Sequence, residues 1–117
     1  MRRPSVSLAG EQYLTMRIQI LHIDECPNWV EAGARVHAAL AELGRAGDEV
    51  TFRLLTSSAE AAEVAFAGSP TILFDGVDAF PSDARTADLA CRVYRTDSGF
   101  AGVPAVGQLV EAMRRRA

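Results

Sequence analysis

The sequence predicts an α/β domain, and three observations carry that prediction. A β-branched run spans 17–23 (RIQILHI), a helix-period apolar face follows Pro27, and a second strand-like run spans 49–55 (EVTFRLL). A helix between two strands makes a parallel βαβ unit the economical arrangement.

The elements follow in order. Arg17 to Ile23 alternates and is rich in β-branched residues, as a buried strand should be. Asp24-Glu25-Cys26-Pro27 breaks it, and Pro27 suits the first turn of a helix, where a missing N–H costs nothing. Trp29, Gly33, Val36, Leu40 and Leu43 then recur at spacings of four and three, and Gly44 or Gly47 ends the helix. After the 49–55 strand, Ser57 with Glu60 forms a capping-box pattern that opens an Ala-rich helix to about Ala67. Thr71 to Phe74 (TILF) is the third strand, closed by the hairpin pair Asp75-Gly76. Residues 77–88 read as a surface excursion, and Leu89 to Arg95 (LACRVYR) as a fourth strand rather than the end of a helix. Thr96-Asp97-Ser98-Gly99 is a turn. Pro104 opens a last helix with Val106, Leu109, Val110 and Met113 inward, its terminal Arg114–Arg116 complementing the macrodipole.

At 117 residues the chain is one domain's worth, and its 49% hydrophobic and 23% charged composition is that of a globular protein. A net charge of -3 leaves no basic field for nucleic acid as the main partner. All twelve basic residues are arginine, which excludes a lysine Schiff base and a P-loop lysine. Residues 1–15 mix polar and turn-forming types without periodicity. We therefore expect a loose extension there, with Met16 as an alternative start, ahead of a domain over 16–117. Arg2-Arg3 is not followed by the apolar stretch of a secretory signal, and no run reaches the length of a membrane span. The expectation is a cytoplasmic protein with no membrane partner. Two cysteines alone, Cys26 and Cys91, exclude a dense disulfide scaffold or a four-cysteine zinc site, and in a reducing compartment such a pair is more often reactive or metal-binding than structural.

Cys26 is the first chemical candidate. A sulfur at a strand-to-helix junction meets unpaired backbone N–H groups and the positive end of the helix dipole, both of which favour thiolate. Asp24 and Glu25 oppose this. The plain alternative is a small residue packed under the sheet. For Cys91, flanked by Ala90 and Val93, a buried structural thiol stands beside a resolving thiol or a soft-metal ligand. His22 and His37 read as packed or surface histidines, because no spacing brings them to a metal site. Trp29 and Tyr94 read as core or pocket-wall residues, with substrate contact second. Asp24, Asp75, Asp78, Asp83 and Asp88 read as turn and loop solvation. No motif asks for a cofactor, and no metal site is expected.

Cys26-Pro27, together with Ser69-Pro70-Thr71 about 44 residues later, resembles the thioredoxin fold, and more narrowly the small thioredoxin-family or alkylmercury-lyase-like proteins. The resemblance implies a central mixed sheet of about four strands flanked by about three helices. It also implies a cis-proline at Pro70 before the third core strand, and Cys26 as nucleophile. It further implies a site shaped by Pro27, Trp29, Ser69, Pro70 and Thr71, with the backbone of Ser69 or Thr71 holding an extended substrate. The departure is Trp29, which stands where that family has its second cysteine, so an intramolecular disulfide must use Cys91, 65 residues on.

Three functions follow. The first is a thiol redox protein acting on a protein or small-molecule thiol or disulfide, with Cys26 attacking and Cys91 resolving. The second is a redox-inert binding module. The third is a dithiolate for mercury or a similar ion, or carbon–mercury cleavage with Asp24 as the nearest acid.

Overall fold

The computed structural model describes residues 16–81 and 89–116. The expected extension over 1–15 and the later part of the expected excursion, 82–88, lie outside these residues. The chain runs β1 (Arg17–His22), α1 (Asn28–Glu42), β2 (Glu49–Leu54), α2 (Ser58–Ala62), β3 (Thr71–Phe74), β4 (Val77–Asp78), β5 (Tyr94–Thr96), β6 (Gly99–Ala101) and α3 (Val106–Arg116).

Four strands form one mixed sheet in the order β2-β1-β3-β4. β1 and β2 are parallel, from Arg17 opposite Glu49 to His22 opposite Leu54, with α1 as their crossover. β3 lies antiparallel on the other side of β1, and β4 antiparallel on β3. Asp75 and Gly76 both have positive φ (52° and 85°), the backbone of a type I′ turn, which returns the chain at once onto the edge of β3. This turn corrects two expectations. The fourth strand of the sheet is Val77–Asp78, not 89–95, and residues 77–78 are not part of a surface excursion. With the edge of β3 taken, Tyr94–Thr96 pairs instead with Gly99–Ala101 in a separate hairpin.

The inner strands β1 and β3 pack on both faces, and the residues of β1 alternate between them, while β2 at the edge is largely exposed. Ile18 and Ile20 pack with Ile72 and Phe74 against Val36 and Leu40 of α1 and Leu109 and Met113 of α3. Leu21 and Ile23 pack with Leu73 against Leu55, Ala61 and Phe66 on the opposite face. The second face explains why α2 is shorter than its alanine-rich sequence suggests. Ser57 caps it as expected, its Oγ accepting from the Glu60 N–H at 3.2 Å. The Glu60 carboxylate reaches back one residue further than in a capping box, accepting from the Thr56 N–H at 2.8 Å. The helix then ends at Ala62, and the fully buried Phe66 turns into the second cluster. None of the helices among the described residues is long and apolar enough to cross a membrane.

Candidate functional site

The carboxyl end of β1 delivers Cys26 to the second face of the sheet. Ile23 continues the strand by one residue, and its N–H donates to the Ser69 Oγ at 3.2 Å. Asp24 and Glu25 form an exposed turn, and the Cys26 N–H returns to the Ile23 carbonyl at 3.4 Å. Pro27 is the N-cap of α1, so Cys26 lies one residue ahead of the cap and two ahead of the first helical residue. Its thiol donates to the Ser69 carbonyl at 3.4 Å and has no exposed surface. The sulfur expected to meet a substrate is thus enclosed by Leu21, Ile23, Leu55, Phe66 and Leu73.

Cys91 is brought to the same place from the far end of the chain. The Ser69 N–H donates to the Ala90 carbonyl and the Arg92 N–H to the Ser69 carbonyl, both at 2.8 Å. These two bonds form an isolated parallel bridge between Ser69 and Cys91. The Cys26 side chain beside it, first by a hydrogen bond and then, after desolvation, by charge, pushes the Cys91 thiol up to about 11. Both cysteines are free, Cys26 buried and Cys91 exposed. Cys91 is therefore not the buried packing thiol that its alanine and valine neighbours suggested.

A clamp around Arg92 fixes this segment. The Arg92 guanidinium, 7% exposed, meets the Asp78 carboxylate at 3.0 Å, donates to the Phe80 carbonyl and lies 4.6 Å over the Tyr94 ring. Tyr94 in turn donates its hydroxyl to the Pro70 carbonyl, and burial raises its pKa. The Ser69–Pro70 bond that these groups surround is cis. Gly68, at φ 107°, lets the Arg92 backbone pass, since a Cβ there would sit 2.8 Å from the Arg92 Cβ and 3.0 Å from its Cα.

The remaining expected site residues divide. Ser69 and Pro70 are buried beside the cysteines, and both hydrogen-bonding groups of the Ser69 backbone are taken by the chain's own 90–92 segment. Thr71 is buried and spends its hydroxyl on the Gly68 carbonyl while accepting from the Ala67 N–H at 3.0 Å. Pro27 is exposed next to Cys26. Trp29 packs against the α1–α3 side of the core, away from the cluster that holds Cys26, and stacks on His22 with ring centroids 4.4 Å apart. His37 is exposed, as is Asp24. Sequence reasoning missed Gly68, Asp78 and Arg92. A glycine just ahead of Ser-Pro was the only local signal among them, because a buried arginine is written like a solvated one.

The His22 ring is buried with Nδ1 lacking a hydrogen-bond partner, and burial lowers its pKa against the opposing pull of the Ile23 backbone and then Asp24. The unfolded chain takes up this proton near pH 6.5, the native state only below that. Between the two the unfolded state binds more protons, so stability falls as pH drops from about 6.5 through the native value. Urea unfolding of wild type and His22→Phe at neutral and mildly acidic pH checks this. The wild type is expected to lose more stability on acidification than the variant, and equal losses would refute the assignment.

Among the described residues no cluster of three or more His, Cys, Asp or Glu side chains gathers to hold a metal ion. A cavity of about 400 Å³, lined by Arg17, Gln19, Glu49, Thr51 and Asp75, sits at the other end of β1 and contains neither cysteine. No protein-family model matches the chain, and no curated protein matches it either.

Proposed function

We propose that this chain is a thiol redox protein of thioredoxin-like fold whose working pair is Cys26 and Cys91. The observation that carries the reading is the convergence of the two cysteines, 65 residues apart in sequence, on the single residue Ser69, Cys26 through its thiol and Cys91 through its backbone bridge. A parallel βαβ half followed by antiparallel strands and a packed C-terminal helix supports the fold reading. The dithiol transfers two electrons to a disulfide of a protein or small molecule. One cysteine displaces the first thiolate to form a mixed disulfide. The other attacks that cysteine's sulfur, releases the second thiol and leaves a Cys26–Cys91 bond. The two cysteine protons leave with the two released thiols, and an external dithiol restores the starting state. The cytoplasm is the compartment this reading implies, because a reducing poise keeps such a pair as dithiol between turnovers.

The test is a redox titration of wild type, Cys26→Ser and Cys91→Ser in glutathione buffers, with free-thiol counting and disulfide mapping by mass spectrometry. A reversible Cys26–Cys91 bond that consumes both thiols of the wild type, and is absent from either variant, is expected. Two inert thiols would overturn the reading in favour of a binding module. Stoichiometric mercury(II) capture without disulfide turnover would overturn it in favour of a metal-binding dithiolate.

A further inference from the structure

Resting on the pair reading above, we infer that Cys91 is the thiol that attacks the substrate and Cys26 the one that resolves, the reverse of the order that sequence position suggests. Access carries the argument. A disulfide must bring a sulfur into line with the attacking sulfur, and Cys26 has no exposed surface on which this can happen. Its thiol is closed in by apolar side chains on one side and by the Ser69 carbonyl on the other. Cys91 is exposed. The bridge to Ser69 uses only the Ala90 carbonyl and the Arg92 N–H, which leaves the N–H and carbonyl of Cys91 itself on the opposite edge of the segment. A substrate therefore approaches Cys91 without displacing the segment from Ser69. To reach Cys26, which has no exposed surface, it must first displace the groups packed around that thiol.

The proton follows a balanced path. The exposed Cys91 thiol gives its proton to water as its sulfur attacks the substrate disulfide and displaces one substrate thiolate. The products are a Cys91–substrate mixed disulfide, the unchanged Cys26 thiol and one substrate thiol, which takes up a proton from water in place of the one Cys91 gave up. Cys26 then attacks the Cys91 sulfur, its proton goes to the second departing substrate thiolate, and the Cys26–Cys91 bond closes. Burial suits Cys26 to this second role: its only reachable electrophile is the sulfur already beside it.

Oxidised glutathione is the probe, with acid quenching and mass mapping of the adducts. Cys26→Ser is expected to accumulate a stable glutathione adduct on Cys91, because the resolving thiol is gone. In Cys91→Ser, Cys26 is expected to react at least about a hundredfold more slowly than the wild-type pair oxidises. Because either serine variant can loosen the site, a brief pulse of limiting iodoacetamide on reduced wild type provides a second measurement, and the label is expected on Cys91. A wild type that forms the Cys26–Cys91 bond yet takes the label on Cys26 would overturn the order alone. So would one whose Cys91→Ser variant accumulates a Cys26 adduct at the wild-type rate. A wild type that never forms the bond overturns the pair reading and this inference with it.

Discussion

Gly68→Ala is expected to destabilise the protein by about 3 kcal/mol, combining a disfavoured backbone region with an overpacked contact. The glycine sits at φ 107°, where a side chain is strained whatever the available space. The new methyl would also meet the Cα and Cβ of Arg92, which are part of or next to backbone and cannot swing aside as the far end of a side chain can. For a domain of this size that loss corresponds to a fall in melting temperature of roughly 15 °C. Thermal unfolding followed by circular dichroism measures it. The same variant should close the Cys26–Cys91 bond less favourably in glutathione buffer, since the segment bearing Cys91 can no longer seat on Ser69. A melting temperature within a degree or two of wild type would mean that the 90–92 segment yields freely, and that Gly68 is not the notch it forms in the structure.

Arg92→Met comes next in size, and it separates the clamp from the bridge. The arginine and its partner Asp78 are 7% and 15% exposed, so removing the cation strands a carboxylate at a site largely closed to water. Breaking one side of such a pair costs about 3 kcal/mol, most of it the penalty on the partner left behind. The Phe80 carbonyl also loses its donor and the Tyr94 ring its stacked cation. Arg92→Met with Asp78→Asn is therefore expected to be more stable than Arg92→Met alone, because the amide removes the stranded charge. Its Oδ1 still accepts from the Phe80 N–H, now held at 2.9 Å. Chemical denaturation of both single variants and the double variant closes the cycle. Additive losses would show that the two side chains do not depend on one another. In both variants lacking Arg92, the effective concentration of Cys91 at Cys26 should fall, by roughly tenfold, as the segment loses its anchor.

Much of the frame was legible before any coordinates. The alternation in 17–23, the four-and-three spacing from Trp29 to Leu43 and the Asp75-Gly76 pair are local signals. They specify local geometry because each depends on residues within one turn or one pleat of another. Ser57 and Glu60 marked a helix start for the same reason. The end of that helix was not legible. Alanine propensity favoured continuing to Ala67, but Phe66 had to reach the apolar cluster under the sheet, and tertiary burial outweighs propensity. The fourth strand failed differently. Residues 89–95 look strand-like and partly are, yet a two-residue strand after a tight turn reaches the edge of β3 first.

The site divides along the same line. Cys26 at a strand-to-helix junction and Ser69-Pro70-Thr71 ahead of a strand could be marked as candidates from sequence alone, because both motifs are contiguous. What surrounds them could not. Trp29 stands where the resemblance to thioredoxins asks for a second cysteine, but its ring belongs to the other face of the sheet, against His22 and the α1–α3 core. Arg92 reads as a solvent-facing charge until Asp78 and Tyr94 are seen to enclose it.

The sequence by itself determined the α/β class, the order of the principal elements and the identity of the two sulfurs, since these depend on composition and short-range period. Only the tertiary structure decided that Cys91 lies against Ser69, that Cys26 is the enclosed thiol and Cys91 the open one, and that an arginine clamp holds them so. Those facts depend on which groups pair across 22 and 43 residues of chain. No local pattern encodes such pairing, because its free energy is realised only when the whole sheet has assembled and the alternative partners have been used.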